Sequence, residues 1–172
     1  MVIPSKIELF CGKMRLVRIT IMGEHEMAVI AVGSDHTGFK MKQEIVSYFT
    51  SRGYQIKDFG CDTSDCVDYP DYAEKVAAAV AADDQCLGVL ICGTGIGMSI
   101  AANKIKGVRA ALCHTEYEAQ VARNQFDANV LCVGARIMER DAVLRVAARF
   151  LRSEFEGCRQ EIRLQKIEKL AS

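Results

Sequence analysis

Apolar, strand-like runs alternate with helix-like patterns through most of the chain, and this alternation limits the fold more than any other feature. The five runs are residues 28–34, 54–60, 87–92, 108–113 and 129–133. Met41, Ile45 and Phe49 recur at the four-residue spacing of an amphipathic helix, and Val76 and Val80 repeat it after the second run. Strands that alternate with helices form parallel sheets covered on both faces. The sequence therefore predicts an α/β, three-layer Rossmann-like fold: a five-stranded parallel sheet with helices on both faces.

The predicted elements belong to one domain. A chain of 172 residues is long enough for one full hydrophobic core and too short for two ordinary ones. Met27 opens this domain, which we place at residues 27–172. Residues 1–26 form an N-terminal extension to which the sequence assigns no role.

The last predicted helix is polar. Helical spacing first runs through Leu144, Ala148, Leu151 and Phe155. After a break at Gly157, a second pattern contains the apolar residues Leu164, Ile167 and Ala171 among many charged ones. This C-terminal segment is either a solvated tail or an arm that docks on another subunit.

The composition excludes several classes of partner. The 22 basic and 22 acidic side chains cancel, so no net field is available to hold nucleic acid or an anionic membrane. No apolar run approaches the roughly 18 residues of a membrane span. The eight cysteines include no C-x-x-C pair of the kind found in zinc or redox sites. We therefore expect buried free thiols in a reducing compartment, the cytoplasm, and a small molecule as ligand.

The most informative stretch joins the third strand to a helix and reads Cys92-Gly93-Thr94-Gly95-Ile96-Gly97. Three glycines in five residues let successive amides turn inward, and the helix start adds its positive end, which predicts an anion-binding loop. A thiol at the lip of this loop is favoured as a thiolate, and hence as a base or nucleophile. A buried cysteine that merely ends a strand is the alternative. The even glycine spacing does not fit the G-x-G-x-x-G dinucleotide fingerprint.

Polar residues also follow the first strand, at the same predicted edge of the sheet. Asp35 either contacts a ligand or caps the next helix, as aspartate does routinely. His36 is one of only three histidines in the chain, and its place at a strand exit favours a ligand role.

Four further residues are candidates for ligand binding. Tyr69 precedes Pro70 at the start of a helix and either reaches over the site or packs there. Arg136 follows the fifth strand, where an arginine suits a phosphate, with solvation as the alternative. Arg159 and Arg163 are four residues apart and share one helix face, so they could clamp one phosphate.

Together these motifs closely resemble ribose-5-phosphate isomerase B, a family that includes galactose-6-phosphate and allose-6-phosphate isomerases. The resemblance covers roughly residues 27–170. The motifs are Gly33-Ser34-Asp35-His36-Thr37-Gly38, Asp68-Tyr69-Pro70, the stretch from Ile91 to Lys104, Gly107-Val108-Arg109-Ala110 and Asn129-Val130-Leu131.

The resemblance implies that ribose 5-phosphate and ribulose 5-phosphate, metabolites of the pentose phosphate pathway, interconvert through an enediolate without a metal or organic cofactor. It implies that Cys92 is the base, that Thr94 helps to pass protons and that the loop amides form an oxyanion hole. It places these residues near the sugar or its phosphate: Asp35, His36, Tyr69, Gly93, Gly95, Ile96, Gly97, Arg136, Arg159 and Arg163. It also implies a homodimer or tetramer with shared active sites, in which the arm crosses to the partner.

The sequence departs from the family at two places. The family has a His-Asn pair after the fourth strand's helix, where this chain has Gln125 and Phe126, and the histidine that often follows the first arginine of the arm is Gln160 here. Glutamine cannot donate a proton as imidazolium does. Two alternatives therefore stay open: an isomerase of another sugar phosphate, such as allose or galactose 6-phosphate, and a catalytically weak homologue that binds a sugar phosphate.

Overall fold

The computed structural model describes residues 29–157 and 159–171. The predicted extension, residues 1–26, and the first two residues of the predicted domain lie outside the described residues. The strands are β1 (Val29–Ser34), β2 (Gln55–Asp58), β3 (Cys86–Cys92), β4 (Ala110–Leu112) and β5 (Val130–Gly134). The helices are α1 (Phe39–Thr50), α2 (Tyr69–Ala82), α3 (Ile96–Ala102), α4 (Glu116–Phe126), α5 (Arg140–Arg152) and α6 (Arg159–Glu168), with a 3-10 turn at Lys169–Ala171.

The strands form one parallel sheet in the order β2-β1-β3-β5-β4, as predicted. Two strands are shorter than the apolar runs that predicted them. β2 ends at Asp58 because the chain turns at Gly60, whose φ of 92° is in the left-handed region. β4 begins only at Ala110 because the preceding residues form a turn, in which the Val108 N–H donates to the Ile105 carbonyl.

The core lies in two layers, one on each face of the sheet. On the first face α1, α4 and α5 pack against alternate strand residues such as Ile30 and Leu131. On the second face α2 and α3 pack against the residues between them, among them Ala31 and Cys92. The burial of both faces explains why the strands read as continuous apolar runs. The predicted three-layer architecture is confirmed.

The C-terminal segment is not a solvated tail. Leu164 of α6 is 8% exposed, and α6 packs against α4 of the same chain. The preceding helix, α5, ends at Arg152, so the prediction that it continues to Phe155 is wrong: the Ser153 backbone is extended. Within residues 29–157 and 159–171, no helix has the length and apolar character to cross a membrane.

Candidate active site

The candidate site lies at the carboxyl ends of β1 and β3, where the order of the strands reverses. These neighbouring strands leave the sheet towards opposite faces, because β1 leads into α1 on the first face and β3 into α3 on the second. Such a switch point opens a crevice for ligands beyond the strand ends. The Asp35 N–H donates to the Ile91 carbonyl at 3.2 Å, so the two strand exits are joined by a backbone hydrogen bond.

The thiol of Cys92 points into the loop that follows it. Its Sγ accepts a hydrogen bond from the Gly95 N–H at 3.1 Å, and the residue is 5% exposed. Gly95 has a φ of 78°, and a Cβ there would lie 2.5 Å from the Leu112 side chain, so only glycine fits this turn. The loop therefore holds the sulfur against a backbone donor.

Thr94 and Ile96 form the outer side of the loop. The Thr94 hydroxyl is exposed and accepts the Ile96 N–H at 3.3 Å. Because α3 begins at Ile96, the N–H groups of its first turn have no partner within the helix. Of the amides predicted to turn inward, the Gly95 N–H donates to Cys92 Sγ and the Ile96 N–H donates to Thr94 Oγ1. The N–H groups that follow in the first turn of α3 have no acceptor within the helix.

Asp35 is 7% exposed and organises the turn between β1 and α1. Its Oδ1 accepts hydrogen bonds from the Thr37 N–H, the Thr37 hydroxyl and the Gly38 N–H, at 2.9, 2.6 and 3.0 Å. Asp35 thus caps this turn, although the N-cap of α1 itself is Gly38. Both expectations for Asp35 place its carboxylate at the strand exit, which is where it lies.

His36 is tied to the segment between β2 and α2. Its Nδ1 accepts the Val67 N–H at 3.2 Å. A ring nitrogen that accepts a hydrogen bond carries no proton, so Nε2 is the N–H donor of the ring in this arrangement. His36 therefore presents a single N–H donor.

Tyr69 and Arg136 also lie against the glycine loop. A Cβ on Gly97 would lie 2.8 Å from the Tyr69 ring, which shows that the ring packs directly on this glycine. A Cβ on Gly93 would lie 3.3 Å from Cδ of Arg136, whose side chain runs along the loop. The Arg136 N–H also donates to the Gly93 carbonyl at 2.9 Å.

Arg159 and Arg163 lie elsewhere, at the opposite edge of the sheet. Both are exposed on α6, and Arg163 donates to Gln160, which in turn contacts Gln125 in the last turn of α4. Because β5 begins soon after α4 ends, this turn is at the amino edge of the sheet. Within one chain, the two arginines are therefore not brought to the Cys92 loop.

Thr37 was missed by the sequence reasoning. Its hydroxyl donates to Asp35, and Oγ1 lies 3.4 Å from the position of a Cβ on Gly93. Thr37 therefore links the β1 exit to the glycine loop. The available signal was a hydroxyl within the Asp35–Gly38 turn, since such residues hydrogen-bond locally in turns.

Two other cysteines, Cys113 and Cys132, are buried as well. Burial raises the pKa of Cys132 well above its usual range, with smaller contributions from Cys92 and Cys113. Burial likewise raises the pKa of Cys113 to about 12. Both stay protonated at neutral pH and are chemically inert there.

A cavity of about 660 Å³ lies at the amino edge, between α6 and the turn before β4. Its apolar lining includes Phe126, Leu164 and Ile167. The cavity therefore lies at the opposite edge of the sheet from the Cys92 loop, next to α6, the helix that carries Arg163. Among the described residues, no group of three or more His, Cys, Asp or Glu side chains is placed to hold a metal ion.

Comparisons with known proteins agree on one family. The sequence model of the protein family described as Ribose/Galactose Isomerase matches residues 30–167 of this chain. Ribose-5-phosphate isomerase B of Escherichia coli strain K12 is 43% identical over 141 residues, which are 82% of this chain and 95% of that protein.

Solved structures give the same result. Ribose-5-phosphate isomerase B of Clostridium thermocellum is 44% identical, with a TM-score of 0.80 and coverage of 83% of this chain and 96% of that one. The same enzyme from Mycoplasma genitalium, with bound ribulose-5-phosphate, is 40% identical, with a TM-score of 0.82 and coverage of 84% and 97%.

Proposed function

Because the chain belongs to the ribose/galactose isomerase family, we propose that it is an aldose-ketose isomerase that interconverts ribose 5-phosphate and ribulose 5-phosphate. The Escherichia coli relative and the solved neighbours carry the name of that activity. The single observation that best supports the proposal is the Gly95 N–H, which donates to the Cys92 sulfur inside the glycine loop. This hydrogen bond fixes the sulfur inside the loop, which is where the proposed proton transfer needs a base.

The proton transfer uses groups of this chain alone. Cys92 removes the proton from C2 of the open-chain aldose while the carbonyl oxygen at C1 gains negative charge, which gives an enediolate. The same proton then returns to C1, and the ketose forms at C2. The loop amides stabilise the oxygen charge, a contribution of a few kcal/mol per donor in enzymes of this kind. The exposed Thr94 hydroxyl passes a proton between the two substrate oxygens.

The residues at the β1 exit position the sugar. In this proposal Asp35 and Tyr69 contact the substrate hydroxyls, and His36 donates from Nε2. Arg136, beside Gly93, supplies positive charge at the same edge. Holding the reacting carbons against Cys92 lowers the barrier in its own right.

The remaining phosphate contacts come from a second subunit. Arg159 and Arg163 lie at the amino edge of their own chain, so they reach a Cys92 loop only when two chains pack with opposite edges together. We therefore propose a homodimer, or a tetramer built from it, with shared active sites. The buried thiols at the described positions fit the reducing cytoplasm.

A second candidate substrate is a six-carbon sugar phosphate. The observation that favours it is the pair Gln125 and Phe126, which stands where ribose-5-phosphate isomerase B has a His-Asn pair. Turnover on allose 6-phosphate or galactose 6-phosphate would support this candidate.

Purified wild-type protein and two cysteine variants test the proposal. Cys92→Ala should abolish turnover of ribose 5-phosphate, while Cys66→Ala, at an exposed thiol before α2, should keep it. Each protein is assayed with ribose 5-phosphate, allose 6-phosphate and galactose 6-phosphate. Full activity of Cys92→Ala would refute the base, and activity on hexose phosphates alone would move the second candidate to first place.

Mixing variants tests the shared site. Cys92→Ala and Arg163→Ala should each be nearly inactive alone, since each spoils one half of every site. After subunit exchange, a mixed dimer contains one intact site, so activity should return. A mixture that stays inactive, with exchange verified by mass, would contradict the shared site.

A further inference from the structure

Gln160 connects the arginine face of α6 to α4. Its side chain is 9% exposed at the start of a helix whose sequence is otherwise strongly polar. The Nε2 group donates to Oε1 of Gln125 at 3.4 Å, and Oε1 accepts from Nη1 of Arg163 at 3.0 Å. These three residues form the Gln125–Gln160–Arg163 network.

Hydrogen bonds hold both helices of this network in place. Arg123 donates to Asp127 at 2.9 Å and to the Ala128 carbonyl at 2.8 Å, which holds the end of α4 that carries Gln125. The far end of α6 is held as well, because Arg109 pairs with Glu168 at 3.0 Å. The guanidinium of Arg163 is thus attached to a helix that is anchored at both ends.

We propose that Gln160 is a positioning residue that orients Arg163 towards a phosphate dianion without neutralising its charge. The inference rests on the proposed function, in which Arg163 binds the substrate phosphate. A carboxylate at this position would orient the guanidinium equally well, but it would form an ion pair that competes with the phosphate. The neutral amide accepts one N–H and leaves the other donors and the positive charge for the ligand.

The geometry explains why such an acceptor matters. Arg163 is exposed on α6, and a free arginine side chain samples many rotamers. An acceptor that selects one of them before binding reduces the entropy lost when phosphate binds. Because Gln160 is itself buried and bonded to Gln125, its carboxamide provides a fixed point for this selection.

Phosphate affinity and steady-state kinetics test the proposal together. In Gln160→Ala, the KM for ribose 5-phosphate and the Kd for inorganic phosphate, measured by calorimetry, should rise in parallel by roughly three- to tenfold. The kcat should change less than about twofold, because the lost interaction is equal in ground and transition states. Gln165→Ala, at an exposed glutamine on the same helix, is the matched control and should leave all three unchanged.

Two further variants separate positioning from a merely structural role. Gln160→Glu keeps the volume and the acceptor for Arg163 but replaces the donor to Gln125 with a competing charge, so it should also weaken phosphate binding. In an Arg163→Ala background, Gln160→Ala should have no additional effect on the phosphate Kd, since the residue that it orients is gone. Additive losses, or a fall of kcat together with the melting temperature, would overturn the proposal.

Failure of this inference is distinguishable from failure of the proposed function. If Arg163→Ala weakens phosphate binding and Gln160→Ala does not, only the role of Gln160 is refuted. If Arg163→Ala leaves the phosphate Kd unchanged, the phosphate role of Arg163 is refuted, and the inference with it. Calorimetry with inorganic phosphate reads both results without requiring turnover.

Discussion

Removing the charge of Asp58 should destabilise the protein far more than removing the charge of its partner, Lys42. The Lys42 side chain is 1% exposed, and its Nζ lies 2.6 and 2.7 Å from the two carboxylate oxygens of Asp58. The Asp58 side chain is 36% exposed, and Asp62 stands 3.5 Å from the same Nζ but is almost fully exposed. The pair therefore joins a buried ammonium to a carboxylate that water reaches.

The expected losses of unfolding free energy follow from the difference in exposure between Lys42 and Asp58. Leaving one member of a fully buried ion pair without its partner costs about 3–5 kcal/mol of unfolding free energy. In Asp58→Asn the amide oxygen still accepts one hydrogen bond and Asp62 remains nearby, so we expect a loss of about 2–3 kcal/mol. Lys42→Met fills the same space with an apolar chain and leaves a carboxylate that water solvates, so we expect a loss below about 1 kcal/mol.

Urea unfolding at pH 7 and one fixed protein concentration measures these changes in unfolding free energy. Equal m-values would show that the variants expose the same surface on unfolding, so that their free energies can be compared. The double variant Lys42→Met/Asp58→Asn should resemble Lys42→Met alone, because the buried charge that caused the larger loss is absent. Equal losses in the two single variants, or a loss in Asp58→Asn below about 1 kcal/mol, would refute the reasoning.

Three further predictions concern the loop, the thiols and α4. Gly97→Ala should displace the Tyr69 ring, which lies 2.8 Å from the position of the added Cβ, and lower kcat/KM roughly tenfold at an unchanged melting temperature. Unchanged kinetics would contradict the packing of Tyr69 on Gly97. Because burial raises the pKa of Cys113 to about 12, iodoacetamide at pH 8 should label exposed Cys66 and spare Cys113, as peptide masses would show. The backbone N–H of His114 lowers the pKa of Glu118, so the ionised side chain stabilises the fold above the usual glutamate pKa, and this stabilisation is lost as the pH falls. Glu118→Gln should therefore unfold at a lower urea concentration than wild type at pH 7 and at the same urea concentration in acid.

The half of the site at the carboxyl edge could be predicted because its determinants are local. Cys92 and the glycines stand directly after an apolar run, and Asp35 stands directly after another, so strand direction alone assigns them to one edge. The contact between Tyr69 and Gly97 needed only the additional knowledge that α2 and α3 cover the same face.

The contact between Gln125 and Gln160 could not be predicted, because tertiary packing decides it. Gln160 and Gln125 are 35 residues apart in sequence, and neither belongs to a local pattern that indicates burial or pairing. Lys42 is similar: in helix α1 its charge predicts a solvated position, yet Asp58 on β2 makes burial favourable. Polar residues that are buried through a distant partner leave no periodic signal in the sequence.

The distance between the Cys92 loop and Arg163 bears on the proposed shared site. β5 has five residues and leads from the end near Gln125 to the edge near the Cys92 loop, a span of roughly 16 Å at the rise of a parallel strand. A five-carbon sugar phosphate is shorter than this span, which favours the proposed shared site over a site built by one chain. Arg136 is the arginine beside the loop in its own chain. If each chain acted alone, Arg136→Ala would abolish phosphate affinity and Arg163→Ala would leave it unchanged; a shared site requires that both variants weaken it.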